Sequence, residues 1–179
     1  MGDEPRWSKA VPQERGVKIR RYRPADRGAV IALFRAFMQE LTPPHLEREF
    51  AAYVEVAIRD ELSRIEDYYV RFWVADEDGV VGMVGVERHA DGSAEVRRMA
   101  VNAAHRRRGL GRALLQTAED FCRSAGYRKI ILGTSELQSA ARRLYESSGY
   151  RLVREELNAP ATHKSVGAGV KRYHYQKAL

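Results

Sequence analysis

A strand-like stretch over residues 95–101, followed by a basic turn and a helix, restricts the fold of this chain more than any other feature. Within it, Val96 is apolar in one phase of the strand, whereas Met99 and Val101 are apolar in the other, so the alternation slips by one residue. Such a slip predicts a β-bulge, which bends a strand away from its neighbour and leaves backbone N–H and C=O groups unpaired. The segment therefore predicts an open strand edge, suited to an extended ligand with amides of its own, just before a helix N-terminus.

The turn after this strand combines glycines with arginines. Gly109 and Gly111 let the backbone approach a ligand closely, and the amides that open the helix present the positive end of its dipole. Because each such interaction contributes about 0.3–1 kcal/mol when exposed, a pyrophosphate needs several amides together with side-chain charge. The residues of this predicted phosphate site are Arg106, Arg107, Arg108, Gly109, Leu110, Gly111 and Arg112. A solvated basic turn is the alternative, but the adjoining bulged strand favours the phosphate site.

Periodicity over the rest of the chain predicts one mixed α/β domain over residues 17–179, preceded by a flexible arm over residues 1–16. A length of 179 residues suits a single domain with a substantial core. Strands are predicted over 17–22, 72–75, 80–87, 95–101, 129–132, 150–153 and 170–176, and helices over 24–39, 46–65, 109–125 and 135–148. The chain order is thus one strand, two helices, three strands, a helix, a strand, a helix and two strands.

Composition narrows the classes of function. The formal net charge of +7 makes a polyanionic partner plausible, but the densest basic run meets a glycine turn rather than stacking aromatics, which disfavours nucleic acid. The longest apolar run, residues 29–34, is far shorter than the roughly 20 residues that cross a bilayer, so we expect no membrane association. A single cysteine, Cys122, and a charged N-terminus without a signal pattern predict a cytoplasmic location. We expect no metal, because the candidate ligands are scattered: His89, His105, His163 and His174.

Two linked motifs resemble those of the GNAT acetyltransferase superfamily over most of the domain. The segment Arg106-x-x-Gly109-x-Gly111 resembles the coenzyme A motif of that family, Arg/Gln-x-x-Gly-x-Gly/Ala. The segment Ala141-x-x-Leu144-Tyr145-x-x-x-Gly149-Tyr150 resembles its downstream helix. The resemblance implies a mixed, mostly antiparallel sheet of about seven strands flanked by four helices, with a bulged fourth strand. It also implies transfer of acetyl from acetyl-CoA to the amine of a small molecule, amino acid or peptide, by direct attack.

The resemblance places pantetheine between the bulged strand and residues 130–132, along Met99, Ala100 and Val101. It places the pyrophosphate on the amides of residues 107–112.

The chain departs from the commonest family pattern at two positions. Arg107 stands where many members have a glycine, and Gln138 stands where many have an asparagine. Gln138 could hydrogen-bond pantetheine as that asparagine would, or it could complete a helix capping box with Ser135. The capping role is favoured for Gln138.

Two side chains are candidates for proton transfer. The resemblance gives Tyr145 the role of the acid that protonates the departing thiolate, whereas a tyrosine on the apolar face of a helix is otherwise a core residue. Glu95 resembles the glutamate base of the histone acetyltransferase branch, and would remove the proton of the attacking amine. A two-residue turn at Asp91-Gly92 would instead pair Glu95 with Arg88 across a hairpin, and both alternatives stay open.

The acceptor is the least constrained part of the prediction. The resemblance builds its site from residues around 41–53 and 158–169. Acids there suit a cationic amine, namely Glu47, Glu49 and Glu55, whereas basic residues there suit a carboxylate, namely His45, Arg48, His163 and Lys164. The segments Glu95-x-Arg97-Arg98-Met99-x-Val101 and Leu144-Tyr145-Glu146-Ser147 also resemble the N-acetyltransferase 8 branch, which is membrane-embedded, so its substrates are not carried over. A non-catalytic acetyl-CoA sensor is the alternative function, and a homodimer stays open.

Overall fold

The computed structural model describes residues 16–157 and 159–179, in which seven strands form one sheet with helices packed on both faces. The strands are β1 (Lys18–Arg21), β2 (Arg71–Asp76), β3 (Val80–Arg88), β4 (Ala94–Val101), β5 (Lys129–Ser135), β6 (Arg151–Glu156) and β7 (Arg172–Ala178). The helices are α1 (Arg27–Leu41), α2 (Glu47–Asp60), α3 (Ile65–Tyr68), α4 (Leu110–Ser124) and α5 (Ser139–Ser147). Apart from the four-residue α3, the elements follow the predicted order, so the predicted α/β class with four longer helices is confirmed. The predicted arm lies outside the described residues except for Gly16.

The strand order along the sheet is β1-β2-β3-β4-β5-β7-β6, and every neighbouring pair is antiparallel except β4 and β5. Alternate residues of β2 enter two different apolar clusters, as the period of a strand requires. Phe72 and Val74 pack with α1 and α2, whereas Trp73 and Ala75 pack with α4. The predicted mixed and mostly antiparallel sheet is therefore confirmed, with one helical layer on each face.

The bulge predicted in the fourth strand is confirmed. Met83 of β3 lies opposite Ala100 of β4, while Gly85 lies opposite Arg97, so β4 holds one more residue than β3 between these pairs. Arg98 absorbs the extra residue with a φ of 52°, a left-handed conformation that is uncommon outside glycine. The bulge turns the end of β4 out of register with its neighbours.

The consequence of the bulge is a gap between β4 and β5. The two strands pair in parallel through three residues each, ending at Val96 and Leu132, and then separate. Residues 130–132, expected to border the gap, are instead paired with β4. Because the strands part after Val96 and Leu132, the β5 border of the gap is formed by residues 133–135.

The hairpin between β3 and β4 differs from its prediction. Ser93 N donates to Asp91 Oδ1 at 2.9 Å, which lengthens the predicted two-residue turn by one residue and shifts the register. Glu95 consequently lies opposite Glu87, and Arg88 lies opposite Ala94. The predicted pairing of Glu95 with Arg88 is wrong, because a shift of one residue moves side chains to the opposite face.

The second helix ends earlier than its apolar pattern predicts, at Asp60 rather than residue 65. Glu61 leaves the helix with φ −125° and ψ −64°, and its side chain is fully buried. A buried carboxylate needs partners, and those of Glu61 lie on β4, off the axis of α2. The chain therefore turns here to bring Glu61 to the sheet.

One edge of the sheet is the exposed strand β6, where Leu152 is 40% and Val153 is 52% exposed. The homodimer stays a prediction.

Among the described helices, none has both the length and the apolar character that a membrane crossing requires.

Candidate active site

A cavity lies where β4 and β5 separate. Its polar wall comes from β4, β5 and the segment before β7, and its apolar wall comes from α1 and α2, through Phe34, Phe37, Met38, Leu41 and Phe50. Five of the residues predicted from the sequence line it, namely Glu95, Met99, Ala100, Gln138 and Tyr145. Val101 and residues 106–112 lie outside this lining, at the end of β4 and the start of α4.

Tyr145 lies on α5 with only 6% of its surface exposed. Its ring packs 6.0 Å from the ring of Tyr150 and 6.1 Å from that of Tyr175. The hydroxyl makes no hydrogen bond to another described residue, although Tyr145 lines the cavity. Burial raises the pKa of Tyr145 above its usual value, so the phenol keeps its proton at neutral pH. Both predicted roles, core residue and proton donor, are compatible with this position.

Gln138 has a structural role at the junction of β5 and α5. Its Oε1 accepts hydrogen bonds from Thr134 Oγ1 at 2.9 Å and from Ser135 N at 3.3 Å. The bond from Ser135 N is one of the two hydrogen bonds of the predicted capping box, the one that the Gln138 side chain accepts. The helix itself begins at Ser139 rather than residue 135, because Ser135 ends β5. Gln138 also lines the cavity, so its capping role does not remove it from the site.

The glycine turn opens α4 as predicted. Gly109 is the N-cap with a φ of 80°, and Ala113 N is bonded to Gly109 O, so the amides at the start of the helix before Ala113 point away from the helix body. Arg107 has a φ of 59°, a conformation that a glycine adopts at little cost. That geometry is the physical reason that glycine suits this position in the family pattern.

Two of the arginines predicted for the phosphate site have partners within the protein. Arg106 Nε donates to Val101 O at 2.9 Å, and its Nη1 lies 2.7 Å from Glu40 Oε2 of α1. Arg112 Nη2 donates to Ser147 Oγ at 2.9 Å and ties α4 to α5. These contacts anchor the turn and partly neutralise Arg106, and the backbone amides at the start of α4 add to the positive charge that the turn presents.

Glu95 is held by partners other than Arg88. Its Oε2 accepts a hydrogen bond from Lys164 Nζ at 3.0 Å and lies 2.6 Å from His89 Nε2. Burial raises the pKa of Glu95, but the charges of Arg97 and Lys164 and the hydrogen bond from Lys164 outweigh it, so the pKa lies below its ordinary value. Glu95 is therefore ionised at neutral pH and faces the cavity as a carboxylate.

Pairing across the hairpin also gathers residues that are apart in sequence. Glu87, His89 and Glu95 each have a side-chain atom of the kind that binds metal ions, and these three atoms lie within 4.8 Å of one another. The positions of the histidines along the sequence do not reveal this cluster. Lys164 Nζ donates to both carboxylates, 2.9 Å from Glu87 Oε2 and 3.0 Å from Glu95 Oε2. The lysine and Arg97, whose Nη1 lies 3.0 Å from Glu87 Oε2, together supply the positive charge that balances the two acids.

Sequence reasoning missed a buried charge cluster beneath the bulge. Glu61 accepts hydrogen bonds from Arg97 Nη2 at 2.8 Å, Arg98 Nε at 2.9 Å and the Tyr69 hydroxyl at 2.6 Å. Arg98 also donates to the Tyr53 hydroxyl at 2.6 Å, which ties the bulge to α2. The signal in the sequence is a carboxylate on the apolar face of a helix, four residues after Ala57 in the amphipathic series.

The two segments expected to form the acceptor site both reach the cavity. The first contributes Leu41, Phe50 and Tyr53, and the second contributes Lys164, Ser165 and Val166. The acids of the first segment, Glu47, Glu49 and Glu55, are not part of the lining. Of the basic residues predicted there, Lys164 lines the cavity whereas His45, Arg48 and His163 do not, and Glu95 is the carboxylate among the lining residues.

A mixed sheet that opens between two parallel strands beside a glycine-capped helix is the arrangement that the sequence resemblance implies. The model of the acetyltransferase (GNAT) family matches residues 30–150. The chain belongs to this family, so the predicted family is confirmed.

Relatives and solved structures agree with the family. The chain is 38% identical over 107 residues to the N-acetylaspartate synthetase of Rattus norvegicus, covering 56% of this chain and 36% of that protein. It is 34% identical over 116 residues to human N-acetyltransferase 8B, covering 59% of this chain and 51% of that protein. This chain thus spans about half or less of the length of these two relatives. The protein YncA of Salmonella typhimurium, solved with its cofactor acetyl-CoA, shares the fold with a TM-score of 0.67 and 21% identity, covering 91% of this chain and 94% of that one.

Proposed function

We propose that this chain is an N-acetyltransferase that transfers the acetyl group of acetyl-CoA to the amine of a small molecule, amino acid or peptide. The observation that carries the proposal is the cavity at the separation of β4 and β5, whose lining includes both Tyr145 and Glu95. Membership of the acetyltransferase family supports acetyl transfer. The names of the two relatives support an amine acceptor, and the cofactor of YncA supports acetyl-CoA.

The residues of the gap fit a pantetheine arm. Met99 and Ala100 follow the bulge on β4, where the strand no longer pairs with β5, so their free backbone groups can bond the amides of the arm. At the start of α4, a Cβ built on Gly111 would meet only Leu144 Cδ2 at 3.5 Å, so the backbone there is open to a pyrophosphate. When bound, acetyl-CoA supplies an acetyl thioester that is activated toward amines.

Tyr145 serves as the acid in this proposal. A buried phenol with a raised pKa is protonated at neutral pH and has one proton to give. Since its hydroxyl has no partner among the described residues, that proton is available to a sulfur atom in the gap. Its burial between Tyr150 and Tyr175 holds the ring in place.

Glu95 serves as the base. Its carboxylate is ionised and lies in the cavity wall, 3.0 Å from the Lys164 ammonium. The lowered pKa makes Glu95 a weak base, so its main contribution is to attract the substrate ammonium and receive its proton as the amine attacks.

Neither relative is named for a sensor, so the alternative of a non-catalytic acetyl-CoA sensor has no support from the comparisons. The cytoplasmic location remains part of the proposal. Its support is that Cys122, the single cysteine, is buried and has no second thiol to pair with.

The proposal is tested with a panel of amines, acetyl-CoA and release of free thiol as the signal. We expect amine-dependent thiol release by the wild-type protein and its loss in Tyr145→Phe. Binding of acetyl-CoA, seen as a rise in melting temperature, without turnover of any amine would instead favour the sensor.

A further inference from the structure

Four cationic side chains line the cavity, and three of them are neutralised within the protein. Arg97 and Arg98 pair with Glu61, and Lys164 pairs with Glu87 and Glu95. The fourth, Arg172, makes no side-chain hydrogen bond or ion pair with any residue in the described ranges. An arginine in a protein stays charged, and a largely buried charge without a partner is costly.

Arg172 is the first residue of β7, opposite Ser135 of β5 and Glu156 of β6. Its guanidinium lies over Gly133, where a built Cβ would stand only 2.7 Å from Nη2. Gly133 belongs to the β5 border of the gap, so the missing side chain is what admits the guanidinium to the cavity. The side chain is thus placed by its backbone surroundings rather than by an internal counter-ion.

The electrostatic surroundings of Arg172 favour the binding of an anion. Burial lowers the pKa of Arg172, and Tyr53, Glu95 and Glu156 act on it in the opposite direction without a hydrogen bond. Because the net shift is downward, these groups do not make up for the lost solvation. The cavity at this point carries uncompensated positive charge.

We propose that Arg172 binds a carboxylate of the acceptor, so that the substrate is an amine that also carries a carboxylate, such as a free amino acid. This inference rests on the proposed acetyltransferase function. The phosphates of the coenzyme are placed at the start of α4, and pantetheine is uncharged, so the anion at Arg172 belongs to the acceptor. Arg172 and Glu95 then bind the two ends of one zwitterion, the guanidinium holding the carboxylate and Glu95 facing the ammonium.

The test compares amino acids with their carboxamides, at equal concentrations of neutral amine, in the thiol-release assay. The wild-type protein is expected to favour the amino acids. Arg172→Gln should raise KM for amino acids about 10–100-fold with little change in kcat, and should leave the carboxamides unaffected, because a charged hydrogen-bond partner is lost only for the former. Arg172→Lys should recover part of the loss.

Two further variants separate the position of the charge from its presence. Gly133→Ala keeps Arg172 but displaces its flexible guanidinium, so it should raise KM for amino acids as well. Lys171→Gln removes the neighbouring cation, which pairs with Glu155 outside the cavity lining, and should behave as wild type.

The inference and the proposed function fail in different ways. Equal use of amino acids and carboxamides, with no effect of Arg172→Gln, would overturn the role of Arg172 while acetyl transfer stands. If no amine is acetylated, the proposed function fails, and Arg172 is tested by thermal shift with coenzyme A and N-acetyl amino acids. Stabilisation of wild type but not of Arg172→Gln supports the carboxylate site, and equal or absent stabilisation overturns it.

Discussion

The two ends of the cavity are built from different chemistry. The coenzyme end consists of the strand after the bulge at Arg98, the turn over residues 106–109 and the first turn of α4, and it presents backbone N–H and C=O groups beside the arginines of the turn. The acceptor end consists of charged side chains, namely Glu61, Arg97, Arg98, Glu95, Lys164 and Arg172. The coenzyme end is shaped by local backbone conformation, and the acceptor end by contacts between distant parts of the chain.

This difference predicts different responses to substitution. A backbone site tolerates most side-chain changes and is lost mainly when a new side chain blocks it. A buried charge network fails when one member is removed, because its partners are left without compensation. Stability should therefore depend more on the acceptor end, and coenzyme affinity more on the coenzyme end.

Glu61→Gln should give the largest effect. It removes the charge shared by Arg97 and Arg98, so Arg98 loses its carboxylate partner and Arg97 keeps only Glu87, and we expect a loss of about 3–5 kcal/mol in the free energy of unfolding. Urea denaturation measures the loss. Glu55→Gln, which breaks an exposed pair with Arg35, is the control and should leave the urea midpoint nearly unchanged. Equal midpoints for the two variants would show that the buried network does not stabilise the fold.

Tyr145→Phe should have the largest effect on rate. The ring and its packing remain, but the proton donor is lost, so kcat should fall about 100-fold while the melting temperature and acetyl-CoA affinity persist. Steady-state kinetics under conditions where chemistry limits turnover give the value. Tyr127→Phe, a partly buried tyrosine outside the cavity lining, is the control. A wild-type kcat in Tyr145→Phe would show that Tyr145 is a core residue and not the proton donor.

Glu95→Gln should lower the rate by a smaller factor, about tenfold, and most at low pH. The lowered pKa keeps Glu95 ionised in mildly acidic solution, so the wild type retains its base where neutral amine is scarce and the variant does not. For the same reason, the stability that Glu95 contributes is present at neutral pH and is lost as pH falls through its folded-state pKa. The pH profile of kcat/KM measures the first effect. Glu55→Gln, whose exposed carboxylate pairs with Arg35 and does not line the cavity, should keep the wild-type profile.

Gly111→Val should have the smallest of these effects, confined to the coenzyme end. A valine at this position meets only Leu144 in ordinary contact, so the helix should persist while acetyl-CoA binds about tenfold more weakly. Calorimetric titration measures affinity, and circular dichroism checks helical content. Gly28→Val, at the same second position of α1, is a matched control. Unchanged affinity in Gly111→Val would argue against a pyrophosphate at the start of α4.

The same contrast explains what the sequence could predict. The bulge, the glycine turn and the position of Tyr145 follow from residues close together in the chain, and the predicted fold and family follow from them. The position of Glu61 depends on partners on β4, thirty-six and thirty-seven residues away, that no local pattern specifies. The hairpin register depended on one hydrogen bond, from Ser93 N to Asp91 Oδ1, which decided between Arg88 and Glu87 as the neighbour of Glu95.

Arg172 shows the same limit at the acceptor end. In the sequence it is one of many basic residues near the end of the chain, with nothing to distinguish it from Lys171. Only the strand pairing places it over Gly133, and only the folded structure shows that its side chain has no hydrogen-bond or ion-pair partner among the described residues. A residue defined by a missing counter-ion is visible in the structure and not in the sequence.

The central claim, that the gap between β4 and β5 receives the coenzyme, is tested most directly by hydrogen exchange with and without acetyl-CoA. Residues 94–96 and 130–132 are already paired between the two strands, so their exchange should change little. We expect acetyl-CoA to protect the segment of β4 after the bulge, residues 99–101, together with residues 107–112 at the start of α4. Binding that protects neither segment, or protects only regions remote from the gap, would contradict the account.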